Sequence, residues 1–171
     1  LPVLAVGLYA LFGDPDALSS GRADHEFDSP AEQLAAPGMR EELLRHLERN
    51  PRDGRGWVLL ARVDFAADRF ADAALAFEKA LSTAPKVATD AGIWCEYADA
   101  LGMAQGGRLA GKPRELVLRA LALSPAHPRA LEMAGSAAYE RREFDSAAGY
   151  WRQLLAQMPE YYVMDRDKGM A

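Results

Sequence analysis

The sequence predicts an all-α fold, and three observations carry that prediction. Of its 171 residues, 33 are Ala and 22 are Leu, both strong helix formers. Ile, Val and Thr together number only 10, too few for a sheet protein. The third observation is an internal period. Trp57, Trp94 and Leu131 stand 37 residues apart, and Ala61, Ala98 and Gly135 keep the same spacing. A chain of this length builds one or two small domains with a sizeable core.

Residues 1–13 are uncharged and apolar apart from the Tyr9 hydroxyl. As a helix they rise only about 20 Å, short of the roughly 20 residues that a bilayer needs. We read them as the tail of a transmembrane helix that begins upstream, with a buried or terminal helix as the alternative. Residues 14–37 hold no sustained apolar period, and Pro15, Pro30 and Pro37 interrupt any helix, so this stretch reads as a flexible linker. His25 is a solvated linker residue in that reading.

The pattern changes at Gly38. Glu41 and Glu42 suit the positive end of a helix dipole, Leu43, Leu44 and Leu47 form one apolar face, and Asn50-Pro51 ends the segment. His46 lies beside that stripe with no partner at ligand spacing. The apolar period and its breakers predict helices over 38–50, 54–68, 70–84, 89–105, 112–124, 128–141 and 144–158. The glycine-rich run Gly106 to Gly111 separates two of them. Residues 160–171 show no clear helical period and read as a C-terminal tail.

Each repeat has two halves. The first carries the large residue followed four positions later by the small one. The second carries Ala73, Phe77, Ala80 and Pro85 in repeat one, Ala120 and Pro125 in repeat two, and Phe144, Ala147, Trp151 and Pro159 in repeat three. This is the tetratricopeptide (TPR) pattern, with its usual 34-residue period lengthened by loops. Two helices approach closely only where a small side chain faces a large one, so Ala61 admits Phe77 and Ala73. The prolines end each second helix, while Asp90 and Ser124 are candidates for polar turn or cap atoms. One such hairpin cannot bury its own apolar face, so the repeats must stack. The expected architecture is a TPR helical-hairpin solenoid over residues 38–159, with about three repeats and one N-terminal helix.

Composition excludes several functions. The net charge of −5 lacks the concentrated basic face of a duplex nucleic-acid binder. One cysteine, Cys95, permits no intrachain disulfide, no cysteine metal cluster and no covalent haem attachment by a Cys-x-x-Cys-His run. Gly106, Gly107 and Gly111 follow a helix rather than a strand, so they are no phosphate loop. Cys95 with His127 forms a conceivable thiol–imidazole pair, but Cys95 lies mid-helix with no activating neighbour in the sequence, as a buried structural thiol does. Glu140, Glu143 and Asp145 read as solvated charges at a helix end. Neither a catalytic site nor a cofactor or metal site is expected.

What remains is a binding surface. In a TPR array the first helix of each hairpin lines the concave face. That register places Arg55, Val58, Arg62 and Phe65 on the groove from repeat one and Cys95, Asp99 and Met103 from repeat two. Arg129, Glu132, Met133, Ser136 and Tyr139 come from repeat three. Met, aromatic and Arg side chains together suit an amphipathic helix or extended peptide. Arg55, Arg62 and Arg129 are candidates to grip a peptide carboxylate, against the plainer reading of exposed surface charges. Trp57, Trp94 and Trp151 occupy packing positions and are assigned to the core.

Several motifs also resemble one family. Tyr9-x3-Gly13-x-Pro15 after an apolar run is similar to the exit from the second membrane helix of the cytochrome c biogenesis factors CcmI (CycH). Asn50-Pro51-x-Asp53-x2-Gly56-Trp57-x-Leu59-Leu60-Ala61-Arg62 resembles that family's first TPR. Tyr97-Ala98-Asp99-Ala100-Leu101, Gln105 to Gly111, Leu123-x-Pro125-x-His127-x2-Ala130-Leu131 and Tyr150-Trp151-x2-Leu154-Leu155 continue the likeness through about residue 159. The resemblance implies a bacterial inner-membrane protein with its TPR domain in the periplasm. Its expected client is apocytochrome c, bound chiefly at the C-terminal helix and delivered to the haem-ligation components CcmF and CcmH. Two other readings stand beside it. One is a TPR scaffold that organises other subunits, including the related assistant of nitrite-reductase haem attachment. The other is a haem lyase acting through Cys95 or a histidine.

Overall fold

The computed structural model describes residues 38–157. Among these residues every regular element is helical: α1 Met39–Arg49, α2 Gly54–Ala66, α3 Phe70–Thr83, α4 Pro85–Ala88, α5 Ala91–Ala104, α6 Lys112–Leu123, α7 Pro128–Glu140 and α8 Phe144–Leu155. The hairpins α2/α3, α5/α6 and α7/α8 are the three repeats, and α1 packs on α2 ahead of them. The all-α TPR prediction holds. The membrane-helix, linker and tail assignments fall on residues 1–37 and 160–171, outside the described residues.

Helix boundaries follow the local chemistry. Asp53 and Asp90 cap α2 and α5, their carboxylates accepting the Gly56 and Gly92 N–H groups at 3.0 and 2.8 Å. α7 is capped by His127, whose Nδ1 accepts the Ala130 N–H at 3.3 Å. The expected cap atom of Ser124 is not used there; its backbone carbonyl instead accepts the His127 N–H. α3 and α6 stop where Ala84 and Ser124 turn extended, because a following proline disfavours the helical region. Pro85 then starts a helical turn of its own, α4, a short element absent from the predicted set.

The first helix of each hairpin ends in the same reversal. Asp68, Gly106 and Arg142 all have positive φ, and the next residue's N–H reaches back five positions to the carbonyl of Asp64, Gly102 and Ala138. These reversals end α2, α5 and α7 one or two residues before the predicted limits.

The core is built from small residues against large ones. Ala61, Ala73, Ala80, Ala98, Val117 and Ala120 have no exposed surface, and Phe77 and Leu131 retain about 1%. Val117 stands where repeat one has Phe77, which is why the second repeat's pattern is weak in sequence. Gly135 faces the Trp151 indole so closely that a Cβ there would lie 2.2 Å from Nε1. The indoles of Trp57 and Trp94 are half-buried and donate to the carbonyls of Pro51 and Ala88, six residues upstream, at 2.9 Å each.

One buried carboxylate joins the N-terminal elements. Asp64, 1% exposed, accepts Nε–H from Arg40 of α1 and from Arg69 of the α2–α3 turn, each at 2.7 Å. His46 joins α1 to the cap of α2, its Nε2 lying 2.9 Å from Asp53 Oδ2. The Gly56 N–H and, next in weight, the His46 ring hold the Asp53 carboxyl below the usual carboxylate range. A lowered folded pKa stabilises the fold above the unfolded pKa, and that contribution is lost as pH falls through the folded value. Asn caps as well as Asp but does not titrate. Asp53→Asn should therefore be less stable than the parent at neutral pH and approach it below about pH 4, as read by urea unfolding at both pH values. Asp53→Ala, which also loses the cap, should cost about 0.5–2 kcal/mol at neutral pH.

Candidate functional site

The candidate surface is the face formed by the first helices of the hairpins, α2, α5 and α7. Two ion pairs cross it. Arg62 of α2 donates Nε–H to Glu96 Oε2 at 2.7 Å and Nη2–H to Oε1 at 2.8 Å, a bidentate link to α5. Arg129 of α7 donates to Asp99 of α5. The Arg62 pKa is raised, first by its Glu96 hydrogen bond, and burial works against that rise.

These pairs correct one sequence reading. Arg62 and Arg129 are committed to carboxylates of the neighbouring repeat rather than standing ready for a peptide carboxylate. Arg55 has no ion-pair partner among the described residues. It borders an open cleft of about 480 Å³ between α1 and α2, with Met39, Leu43 and Leu59 on its apolar side.

The remaining predicted residues divide by burial. Val58 and Met133 are 6% exposed and Cys95 is wholly buried, so all three pack the walls instead of offering contact surface. Helical register alone does not separate a groove position from its neighbour facing the adjacent helix. Phe65 is half-buried with its ring edge-on to Phe70, centroids 5.1 Å apart. Ser136 donates to the Glu132 carbonyl at 3.1 Å. Glu132, Met103 and Tyr139 are exposed, and Tyr139 packs edge-on against Phe144 and at a tilt against Trp151.

Burial pushes the Cys95 thiol up to about 11, against a smaller opposing effect from the Arg129 charge. A thiol so placed holds very little thiolate at neutral pH. His127 is engaged in capping α7. Among the described residues no group of three or more His, Cys, Asp or Glu side chains is arranged to hold a metal ion.

Three structural partners on or beside this face were given no partner in the sequence reading. Glu96 is the first, visible only once α2 and α5 are side by side. Glu140 is the second: its carboxylate accepts the Leu109 N–H at 3.0 and 3.2 Å, tying the glycine loop to repeat three, so it is not simply solvated. Gln105 is the third, donating its amide to the Arg108 and Ala110 carbonyls within the same loop. Gly106, Gly107 and Gly111 all have φ near +80°, which explains glycine at those positions.

The family description "Cytochrome c-type biogenesis protein H TPR domain" matches residues 33–162. The chain belongs to that family. CycH of Pseudomonas aeruginosa is 31% identical over 163 residues, covering 93% of this chain and 37% of that protein. CycH of Bradyrhizobium diazoefficiens is 34% identical over 166 residues, covering 93% of this chain and 42% of that one. CcmH of Escherichia coli is 32% identical over 151 residues, with 82% and 41% covered. The chain thus spans only 37–42% of the length of these curated relatives. The crystal structure of MamA superposes with a TM-score of 0.61 at 18% identity, over 68% of this chain and 65% of that one, a likeness of fold alone. This is a TPR domain of the cytochrome c maturation family.

The Arg62–Glu96 pair is part-exposed, and such pairs contribute about 0.2–1 kcal/mol. A double-mutant cycle with Arg62→Ala and Glu96→Ala should return a coupling in that range that shrinks in high salt. A coupling near zero at low salt would show that the pair does not join the two repeats.

Proposed function

We propose that this domain serves cytochrome c maturation as a non-catalytic holdase. In this reading its α2/α5/α7 face binds apocytochrome c, chiefly the C-terminal helix, and passes it to the haem-ligation complex. CcmF and CcmH are the proposed partners, and the full protein is anchored in the bacterial inner membrane with this domain in the periplasm. No helix among the described residues is long and apolar enough to cross a membrane.

The observation that carries the choice of face is its division of labour. Arg62, Glu96, Asp99 and Arg129 neutralise one another, while Met103 of α5 and Tyr139 of α7 stay exposed. A flexible thioether and an aromatic ring are the side chains that adapt to an amphipathic helix. Arg55 and Glu132 add charge at its edges. The buried, protonated Cys95 supports a holdase over a thiol-based haem lyase.

The test is calorimetric titration of the chain with a synthetic C-terminal helix of a c-type apocytochrome and with its scrambled counterpart. We expect saturable binding of the native sequence alone, weakened roughly 5–30-fold when Met103 and Tyr139 are both replaced by Ala, as for interface anchors of 1–2 kcal/mol. Binding of neither peptide would overturn the holdase, and retention of membrane partners in the same preparation would make the domain a scaffold.

A further inference from the structure

α8 packs on α7, and one side of it is uncovered among the described residues. Phe144, Ala148 and Leu155 fall four and seven residues apart, on one helical face. Phe144 and Leu155 are each 57% exposed, and Ala148 is exposed too. The same stripe on α3 receives other helices. With a shift of 74 residues, Phe70, Ala74 and Leu81 become Phe144, Ala148 and Leu155 without a change of residue type. There Ala74 is buried and Phe70 and Leu81 are half-buried, since α4 and α5 pack against that helix. A small side chain between two large ones lets a second helix come close.

Beside this stripe α8 differs from α3 in charge. Asp145 stands in its first turn and Arg152 in its last, where α3 has Ala71 and Glu78. Both are exposed, and neither has an ion-pair partner among the described residues. Seven residues apart, they lie about 10 Å apart along the axis, too far to pair within one helix. They share a side of the helix with Ala148, which falls three residues after one and four before the other. A second α8, turned antiparallel about a two-fold axis at the level of Gly149, supplies the missing partners. Each Asp145 then comes within about 1.5 Å, measured along the helix, of Arg152 in the other copy. Phe144 and Leu155 of the two copies meet with the same small offset. At the centre stand Ala148 and Gly149, and a Cβ on Gly149 would meet no atom within 4 Å, which leaves room for close approach.

We infer that this face of α8 binds a second copy of the chain. The two helices pack antiparallel, Phe144 over Leu155 and Asp145 paired with Arg152, each contact made twice about the axis. One helix per copy is small beside the roughly 800 Å² per partner of a standard interface. Association is therefore expected on the order of tens to hundreds of micromolar chain. None of these side chains is assigned to the client, so the dimer and client binding stand or fall separately.

Sedimentation equilibrium of the 171-residue chain, from about 10 μM to about 1 mM, tests this. The mean mass should rise toward that of two chains, and less so in high salt. Asp145→Arg and Arg152→Asp should each raise the dimer Kd about 10-fold or more, because like charges then meet twice. Mixed together, those two variants should associate again, since each supplies the charge that the other has lost. Helix-dipole effects of the same substitutions produce no such rescue. Leu75→Asp, at an exposed position of α3, should leave Kd unchanged. A chain that stays monomeric to about 1 mM would overturn the inference. So would a dimer whose Kd ignores both charge swaps, because another face would then carry it.

Discussion

The close approach of paired helices at Ala61, Ala98 and Gly135 is the constraint on which the rest of this structure depends. Each position gives the first helix of a hairpin a bare flank, and the second helix fills it. At Gly135 no side chain is tolerated at all in the present packing, with the Trp151 indole occupying the space. Because interiors are close-packed, that spacing is passed outward as geometry. It sets where α2, α5 and α7 lie relative to one another, and so allows Arg62 to reach Glu96 and Arg129 to reach Asp99.

Polar contacts then fix what apolar packing leaves adjustable. Asp64 and its two arginines hold α1, α2 and the first turn together, and a carboxylate so buried is tolerable because both guanidiniums satisfy it. Glu140 does comparable work between repeats two and three by holding the Leu109 N–H. The candidate face is therefore a by-product of stacking. Its charges pair between repeats, and Met103 and Tyr139 remain exposed on it.

Much of the fold was legible in the sequence, because packing writes a period. The 37-residue spacing of Trp57, Trp94 and Leu131, with the small residue four positions on, predicts the hairpins. Pro85 and Pro125 mark where the second helices stop. Contacts between distant segments leave no such mark. The reversals at Asp68 and Arg142 use left-handed residues that are not glycine, and so escaped notice beside Gly106. Asp64 has the appearance of a surface residue until its arginines converge on it. The candidate face was legible only in part. Helical register picked positions along α2, α5 and α7, but it placed Val58, Cys95 and Met133 on an open surface where the structure buries them. It also left Arg62 and Arg129 without the carboxylates that occupy them.

The most direct measurement of the central constraint is the unfolding free energy of Gly135→Ala, alone and with Trp151→Leu. In an unobstructed helix interior Gly→Ala stabilises by roughly 0.5–1 kcal/mol. Steric interlock reverses that sign. The account predicts that Gly135→Ala loses about 1–3 kcal/mol through overpacking, and that the same substitution costs less, or stabilises, once the indole is gone. A Gly135→Ala protein at least as stable as its parent with Trp151 in place would contradict it.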